Sequence, residues 1–231
     1  CSMYNKQHTV TPVNGKLQVK LECERPDVEI RYTVDGKEPT DRSLLYKNPL
    51  MVTGTQTIKC TTYRAGRQMG KTLTLPLVWN KATAKPVLGN TQAGKILVNG
   101  IRGSLRQSDF EWHSWESSDS VAFTIDLQKK ESLRSVSVGC ITNYGMAAHK
   151  PADIEVWVSN DNRDYRKVSG KQFTDGEIFR EGTFKEDVVL DLNKEIGRYV
   201  RIIAKGAGEC PVTHVRPGQE ARIYFDEVMI E

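Results

Sequence analysis

From Lys16 onward, apolar side chains recur at every second position. Leu17, Val19, Leu21 and Cys23 fall on one side of an extended chain, and Gln18, Lys20 and Glu22 on the other. A period of two marks a half-buried β-strand. Residues 29–34 repeat it with Ile30, Tyr32 and Val34 inward. Asp35-Gly36 then supplies turn chemistry, because glycine takes positive φ at little cost. Further short strands are predicted over 50–52, 57–63 and 71–77, punctuated by Gly54, Gly66 and Gly70. The first ten residues read as a frayed terminus. Strands at this spacing over about 65 residues predict a small β-sandwich.

The segment Trp79–Lys95 breaks the pattern. It holds Pro86, two glycines and several small residues, and reads as a linker with the domain boundary near residue 85. Alternation then resumes. Val121, Phe123, Ile125 and Leu127 share one face; Val136, Val138 and Cys140 follow; Ile154, Val156 and Val158 form another inward set, with Trp157 pointing the other way. Val188, Leu190 and Leu192, then 199–204 and 223–230, complete the series. No amphipathic helix exceeds two turns. About seven strands over ~145 residues predict a jelly-roll or sandwich of two antiparallel sheets. The chain is therefore read as all-β, with domains at 1–84 and 85–231.

Composition narrows the function classes. Hydrophobic residues make up 38% of the 231 and mean hydropathy is −0.50. No stretch approaches the apolar length of a membrane-spanning helix. The net charge of +4 is uneven, since residues 1–84 carry 13 Lys+Arg against 7 Asp+Glu. Basic residues nowhere interleave with aromatics, which argues against nucleic-acid binding. The five cysteines are far apart with no C-x-x-C, so they read as small buried hydrophobes rather than a disulfide framework. The four histidines show no i, i+4 pairing on a helix, which argues against zinc. Cys1-Ser2 is compatible with a lipid-bearing start and equally with an arbitrary chain boundary.

The polar stretch Leu97–Glu116, LVNGIRGSLRQSDFEWHSWE, interrupts the strands with two tryptophans and a histidine. A long polar segment with aromatics between strands reads as a functional loop. Trp112 is as well explained as a plug beneath the loop.

Two resemblances sharpen the reading. EIRYTVDGKEPT, LYKNPLMV and TIKCTTYRAG, with Tyr32, Thr33, Asp35, Gly36, Pro39 and Thr40 as the core motif, resemble the immunoglobulin-like domain that follows the barrel of chitobiases and β-hexosaminidases. VNGIRG…DFEW, FTIDL, IEVWVSNDNRDYRKV, GRYVRIIAKG and YFDEVMIE resemble a discoidin, or factor V/VIII type C, domain, also called family 32 among carbohydrate-binding modules. The pair in this order resembles the C-terminal ancillary region of a bacterial glycoside hydrolase of family 20. The fold this implies is a small immunoglobulin-like sandwich followed by a discoidin-like jelly roll. Such enzymes use an adjacent Asp-Glu pair in their barrel. The one such dipeptide here, Asp226-Glu227, lies in the last predicted strand, so no catalysis is expected of this chain.

The resemblance implies a non-catalytic glycan-targeting region, extracytoplasmic (periplasmic or at the cell surface) and monomeric. Its expected partner is a terminal hexose or N-acetylhexosamine. An aromatic ring stacks on the sugar face while imidazole, amide and guanidinium groups hold the hydroxyls. The candidates are His113, Trp115, Asn143, Tyr144, His149, His214 and Arg216. The resemblance also implies a structural Ca²⁺ at the Asn99-Gly100 turn and Glu227, with Asn99 replacing the usual aspartate and removing one charge. The alternative reading is an adhesion or protein-interaction module without a sugar site. Membrane contact, other than through a lipid anchor, is opposed by Glu111, Glu116 and Asp119 beside the expected tips.

Overall fold

A computed structural model describes residues 4–119 and 121–231. Cys1 and Ser2, and with them the lipidation expectation, lie outside the described residues. The chain divides into two units: 1–79 with Asn99–Ile101, and 80–98 with 102–231.

The first unit holds two antiparallel sheets. β1 (Lys6–Val13), β2 (Lys16–Cys23) and β5 (Leu50–Val52) form one, in the order β1-β2-β5. β4 (Leu44–Leu45), β3 (Glu29–Thr33), β6 (Gln56–Arg64) and β7 (Arg67–Leu77) form the other, in that order. The alternation of β2 is realised: Leu17, Val19 and Leu21 are buried, alongside Val10, Val52, Ile58, Cys60, Leu75 and Leu77. The N-terminal segment is not frayed from Lys6 on, because all eight residues of β1 pair with β2. Val34 lies past the end of β3 and is exposed, so the inward face stops at Tyr32. Asp35-Gly36 does turn the chain: Gly36 has φ +77°, and Asp35 Oδ1 accepts the Lys37 amide at 3.1 Å. Tyr63 donates its hydroxyl to the Pro39 carbonyl at 2.9 Å, pinning that loop.

The second unit is built on two long strands, β10 (Val121–Asn143) and β13 (Thr183–Lys205), paired antiparallel. Each covers two strands of the sequence pattern. The separation arises from bends. Pairing is irregular between Asp126 and Glu131, and Gln128, Asn193 and Lys194 take positive φ. Asp126 and Asp191 accept the amides of Gln128 and Asn193 at the bends, and Arg198 holds Asp126 with two hydrogen bonds of 2.8 and 3.0 Å. Around this pair run β8 (Val87–Leu88), β9 (His113–Trp115), β11 (Asp153–Ser159), β12 (Arg166–Gln172) and β14 (Ile223–Ile230), in the order β12-β11-β13-β10-β14-β9, with β8 on β10. Both halves of the bent strands send inward faces to one core: Phe123, Ile125, Val136, Val138, Leu190 and Ile202 all belong to it. The result is a β-sandwich, as expected. Its helices are short. Two are 3₁₀ turns, at Ala93–Lys95 and Tyr144–Met146, and α1 (Asp175–Ile178) is closed by a Thr174/Glu177 capping box.

The segment read as a linker is structural from Asn80 on. Ala82, Ala93, Leu97 and Val98 are fully buried. The Lys81 amide bonds to the Ile230 carbonyl, and Asn80 Oδ1 accepts the Ile230 amide. Small residues gave this stretch its linker-like composition. They are small because they lie against the sheet.

Asp226, fully buried on β14, accepts Arg102 Nε at 2.9 Å and the Gly103 amide at 2.8 Å through one oxygen. Arg102 also pairs with Asp187. Burial of Arg102 opposes its charge, but the bonds to Asp187 and Asp226 outweigh it and raise its pKa. A side chain at Gly139 would meet Asp226 Oδ1 at 1.9 Å. Gly139→Ala is therefore expected to destabilise the fold by about 3 kcal/mol, measured by urea denaturation.

Candidate functional site

Five of the seven candidate residues meet at one end of the second unit. The Tyr144–Met146 turn follows β10 directly, and Ala147 ends it at φ +54°, a conformation L-residues seldom adopt. It is held there because Ala147 donates to the Tyr144 carbonyl and accepts the Arg222 amide. His149 donates its own amide to the Arg222 carbonyl. This register brings His149 beside the 206–222 loop, which carries His214 and Arg216. The loop is a closed excursion: Ala221 donates to Gly208, Cys210 to Gln219, and Gly218 to Cys210.

The contacts within this end are specific. His149 Nε2 lies 3.1 Å from His214 Nε2. His149 Nδ1 is 3.0 Å from the Ile178 carbonyl, and His214 Nδ1 accepts the Arg216 amide at 2.9 Å. One proton arrangement satisfies all three bonds: His149 carries its proton on Nδ1, and His214 carries its own on Nε2 and donates it to His149. Both rings are then neutral. Burial pushes the His149 pKa down to about 4, against its hydrogen bond to the Ile178 carbonyl and with help from His214. Burial, then Arg216, lowers that of His214. The Tyr144 ring lies tilted on His214 at 3.9 Å, and Phe179 stands edge-on to His149 at 4.9 Å. The Arg216 guanidinium donates to the Gly145 carbonyl and to Gln219 Oε1. Asn143 Nδ2 donates to Gln107 Oε1 at 2.9 Å, which ties the 102–112 loop to the same end.

His113 and Trp115 are placed differently. They are not loop-tip residues, because they form β9 against Phe225 and Ile223 of β14. Trp115 is 7% exposed, stacked on Phe123 at 6.1 Å and edge-on to Phe225 at 5.3 Å. Its faces are spent on the core, so it offers no platform to a sugar. His113 packs edge-on to Trp115, and burial lowers its pKa. Trp112 is the plug: its Nε1 donates to the Ser104 carbonyl, and its ring lies on Gly103.

The exposed aromatic of the stretch is one the sequence reading passed over. Phe110 is 94% exposed at the apex of a turn closed by Asp109 donating to Arg106 and Trp112 donating to Asp109. Its only signal is its place between Asp109 and Glu111, outside any alternation. Met146, Val212 and Val215 are likewise exposed on the neighbouring loops. An open groove of about 550 Å³ lies elsewhere, along β12 between Asp153 and residues 167–172, and it gathers no aromatic or imidazole group.

A third side chain joins the histidines. Cys210 is buried, and its sulfur and the two ring nitrogens all lie within 4.8 Å of one another. Burial raises its thiol pKa. The fold thus joins residues 65 positions apart in the chain, a proximity that no local spacing shows.

The turn expected to hold Ca²⁺ is closed by its own hydrogen bonds. Asn99 is 2% exposed and its Oδ1 accepts the Ile101 amide at 3.1 Å, while the Gly100 carbonyl accepts the Val78 amide at 3.0 Å. Glu227 is buried on β14. Its neighbour Asp226 is held by Arg102 and Gly103, so the Asp-Glu dipeptide is no open carboxylate pair.

Residues 81–216, more than half of the chain, match the F5/8 type C domain. The chain belongs to the F5/8 type C domain family. Ahead of that domain, residues 11–74 match the chitobiase/beta-hexosaminidase C-terminal domain. No curated protein matches the chain. Several solved structures are similar to the chain. Chitosan-binding module 1 of a chitosanase/glucanase from Paenibacillus sp. IK-5 is 14% identical, with 66% of this chain and 98% of that one covered and a TM-score of 0.42. CBM32-1 of a family 31 glycoside hydrolase from Clostridium perfringens is 21% identical, covering 51% and 75%, with a TM-score of 0.34. The C-terminal domain of a chitobiase from Bacteroides fragilis is 13% identical, covering 57% and 76%, with a TM-score of 0.32.

Within the F5/8 type C domain the two aromatic side chains have opposite roles. Trp115→Ala should cost about 3–5 kcal/mol of stability, as for a buried aromatic. Phe110→Ala should change it by less than about 0.5 kcal/mol. Urea denaturation of the two variants side by side checks both.

Proposed function

We propose that this chain is a non-catalytic glycan-binding region, the ancillary part of an extracytoplasmic glycoside hydrolase of the chitobiase type. The observation that carries it is the loop end of the second unit. There an unpacked ring, Phe110, sits on a loop tied by the Gln107–Asn143 bond to the turn bearing Tyr144, and the Arg216 guanidinium bonds to the same turn at Gly145. A hexose needs a ring to stack on and fixed donors beside it. The family membership of both halves agrees with an ancillary role.

The ligand proposed is a terminal hexose or N-acetylhexosamine. Phe110 takes the stacking role first assigned to Trp115. Asn143 and Arg216 supply polar contacts, and His149 and His214 hold the loops from below. One exposed ring and a few hydrogen bonds contested by water leave little net free energy. A millimolar dissociation constant, about −4 kcal/mol, is the expectation. Met146, Val212 and Val215 favour the second reading, a protein-interaction surface, because a monosaccharide does not need them.

NMR titration with GlcNAc, GalNAc and galactose tests the first reading. Resonances of residues 106–111 and 143–146 should move at millimolar sugar, and Phe110→Ala should abolish the shifts while the fold persists. No movement at tens of millimolar of any of the three sugars would sink the sugar site and leave the interaction surface.

A further inference from the structure

We infer that His149, Cys210 and His214 form a site for a thiophilic divalent cation of the Zn²⁺ class. The site stands apart from the sugar reading and does not depend on it. Two imidazoles and one thiol, all buried, present their donor atoms within 4.8 Å of one another. A tetrahedral Zn²⁺ with bonds of about 2.0–2.3 Å places its ligand atoms roughly 3.3–3.7 Å apart. The His149–His214 separation of 3.1 Å is within a few tenths of that. Nitrogen and thiolate donors select Zn²⁺, and tetrahedral Co²⁺ in its place, over Ca²⁺ or Mg²⁺.

The second layer favours the same outcome. The Ile178 carbonyl takes the Nδ1 proton of His149 and leaves its Nε2 lone pair facing the cluster. A ligating histidine is oriented in this way. Tyr144 and Phe179 wall the two rings, and Ala147 and Ala221 pack with Cys210. The three donor groups are thus buried together. Three protein ligands leave a fourth position for water or another donor.

Binding has a definite proton balance. Cys210 loses its proton to solvent as sulfur binds the ion. His214 must present a lone pair at Nε2, so the proton it now donates to His149 moves to Nδ1. The Arg216 amide, which points at Nδ1 at 2.9 Å, must then turn away. The ion therefore trades two hydrogen bonds, His214 to His149 and Arg216 to His214, for three coordinate bonds and releases one proton. It would cross-link the 206–222 loop to the segment behind the Tyr144 turn.

The test uses the full chain, free of any affinity tag and stripped with chelator. Co²⁺ should bind one equivalent and give a thiolate-to-cobalt charge-transfer band with intense tetrahedral visible bands. Zn²⁺ should bleach them, raise the melting temperature and shift the Arg216 amide resonance. Cys210→Ser should abolish the charge-transfer band. His149→Gln and His214→Gln should each weaken Zn²⁺ binding at least about tenfold. Cys140→Ala serves as a thiol control and should leave the band intact. Absence of the band in the wild-type chain, or its persistence in Cys210→Ser, would overturn the site. If Cys210→Ser does not fold, protection of Cys210 from alkylation by Zn²⁺ in the wild-type chain decides: no protection overturns the site.

Discussion

A single buried carboxylate organises the second unit. Asp226 sits fully inside on a central strand and must be neutralised or bonded, because a buried unpaired charge costs several kcal/mol. Its partner comes from 124 residues earlier in the chain: Arg102 and the Gly103 amide reach it from the start of the polar loop. The pair therefore fixes where that loop leaves the sheet. It also dictates a neighbour, since Gly139 on the adjoining strand has no room for a side chain. Trp112 then lies on Gly103, and the turn carrying Phe110 follows from Trp112. The loop's shape descends stepwise from one charge.

Much of the scaffold was legible because its signal is local. Leu17, Val19 and Leu21, or Phe123 and Ile125, announce their burial by period two alone, and the structure buries them. The bends in β10 and β13 were not legible as continuity. Gln128 and Asn193 interrupt the alternation as a loop would, and only the pairing register shows that the strand goes on. The Trp79–Lys95 segment reads as a linker because small residues have two uses, filling a tight layer or filling a linker, and composition does not separate them.

The site was legible in part. Tyr144, His149, His214 and Arg216 stood out as polar and aromatic groups outside the alternation, and the fold does collect them. Trp115 stood out for the same reason but belongs to a three-residue strand, too short to show any period. Cys210 reads from the sequence as a buried hydrophobe. Its burial is real, yet its neighbours are imidazoles, brought there by the pairing of Ala148 with Arg222. Contacts made by loop closure leave no mark on either local stretch.

The 206–222 excursion has one more consequence. Its rungs, Ala221 to Gly208, Cys210 to Gln219 and Gly218 to Cys210, are made by backbone atoms alone. Hydrogen bonds of that kind do not read side-chain identity. Between the rungs, the exposed Val212, Thr213 and Val215 can thus be rewritten while His214 and Arg216 keep the loop tied to its neighbours. Those three positions behave as an interchangeable set on a fixed frame, so contact residues can change between descendants of one scaffold without disturbing the sandwich beneath.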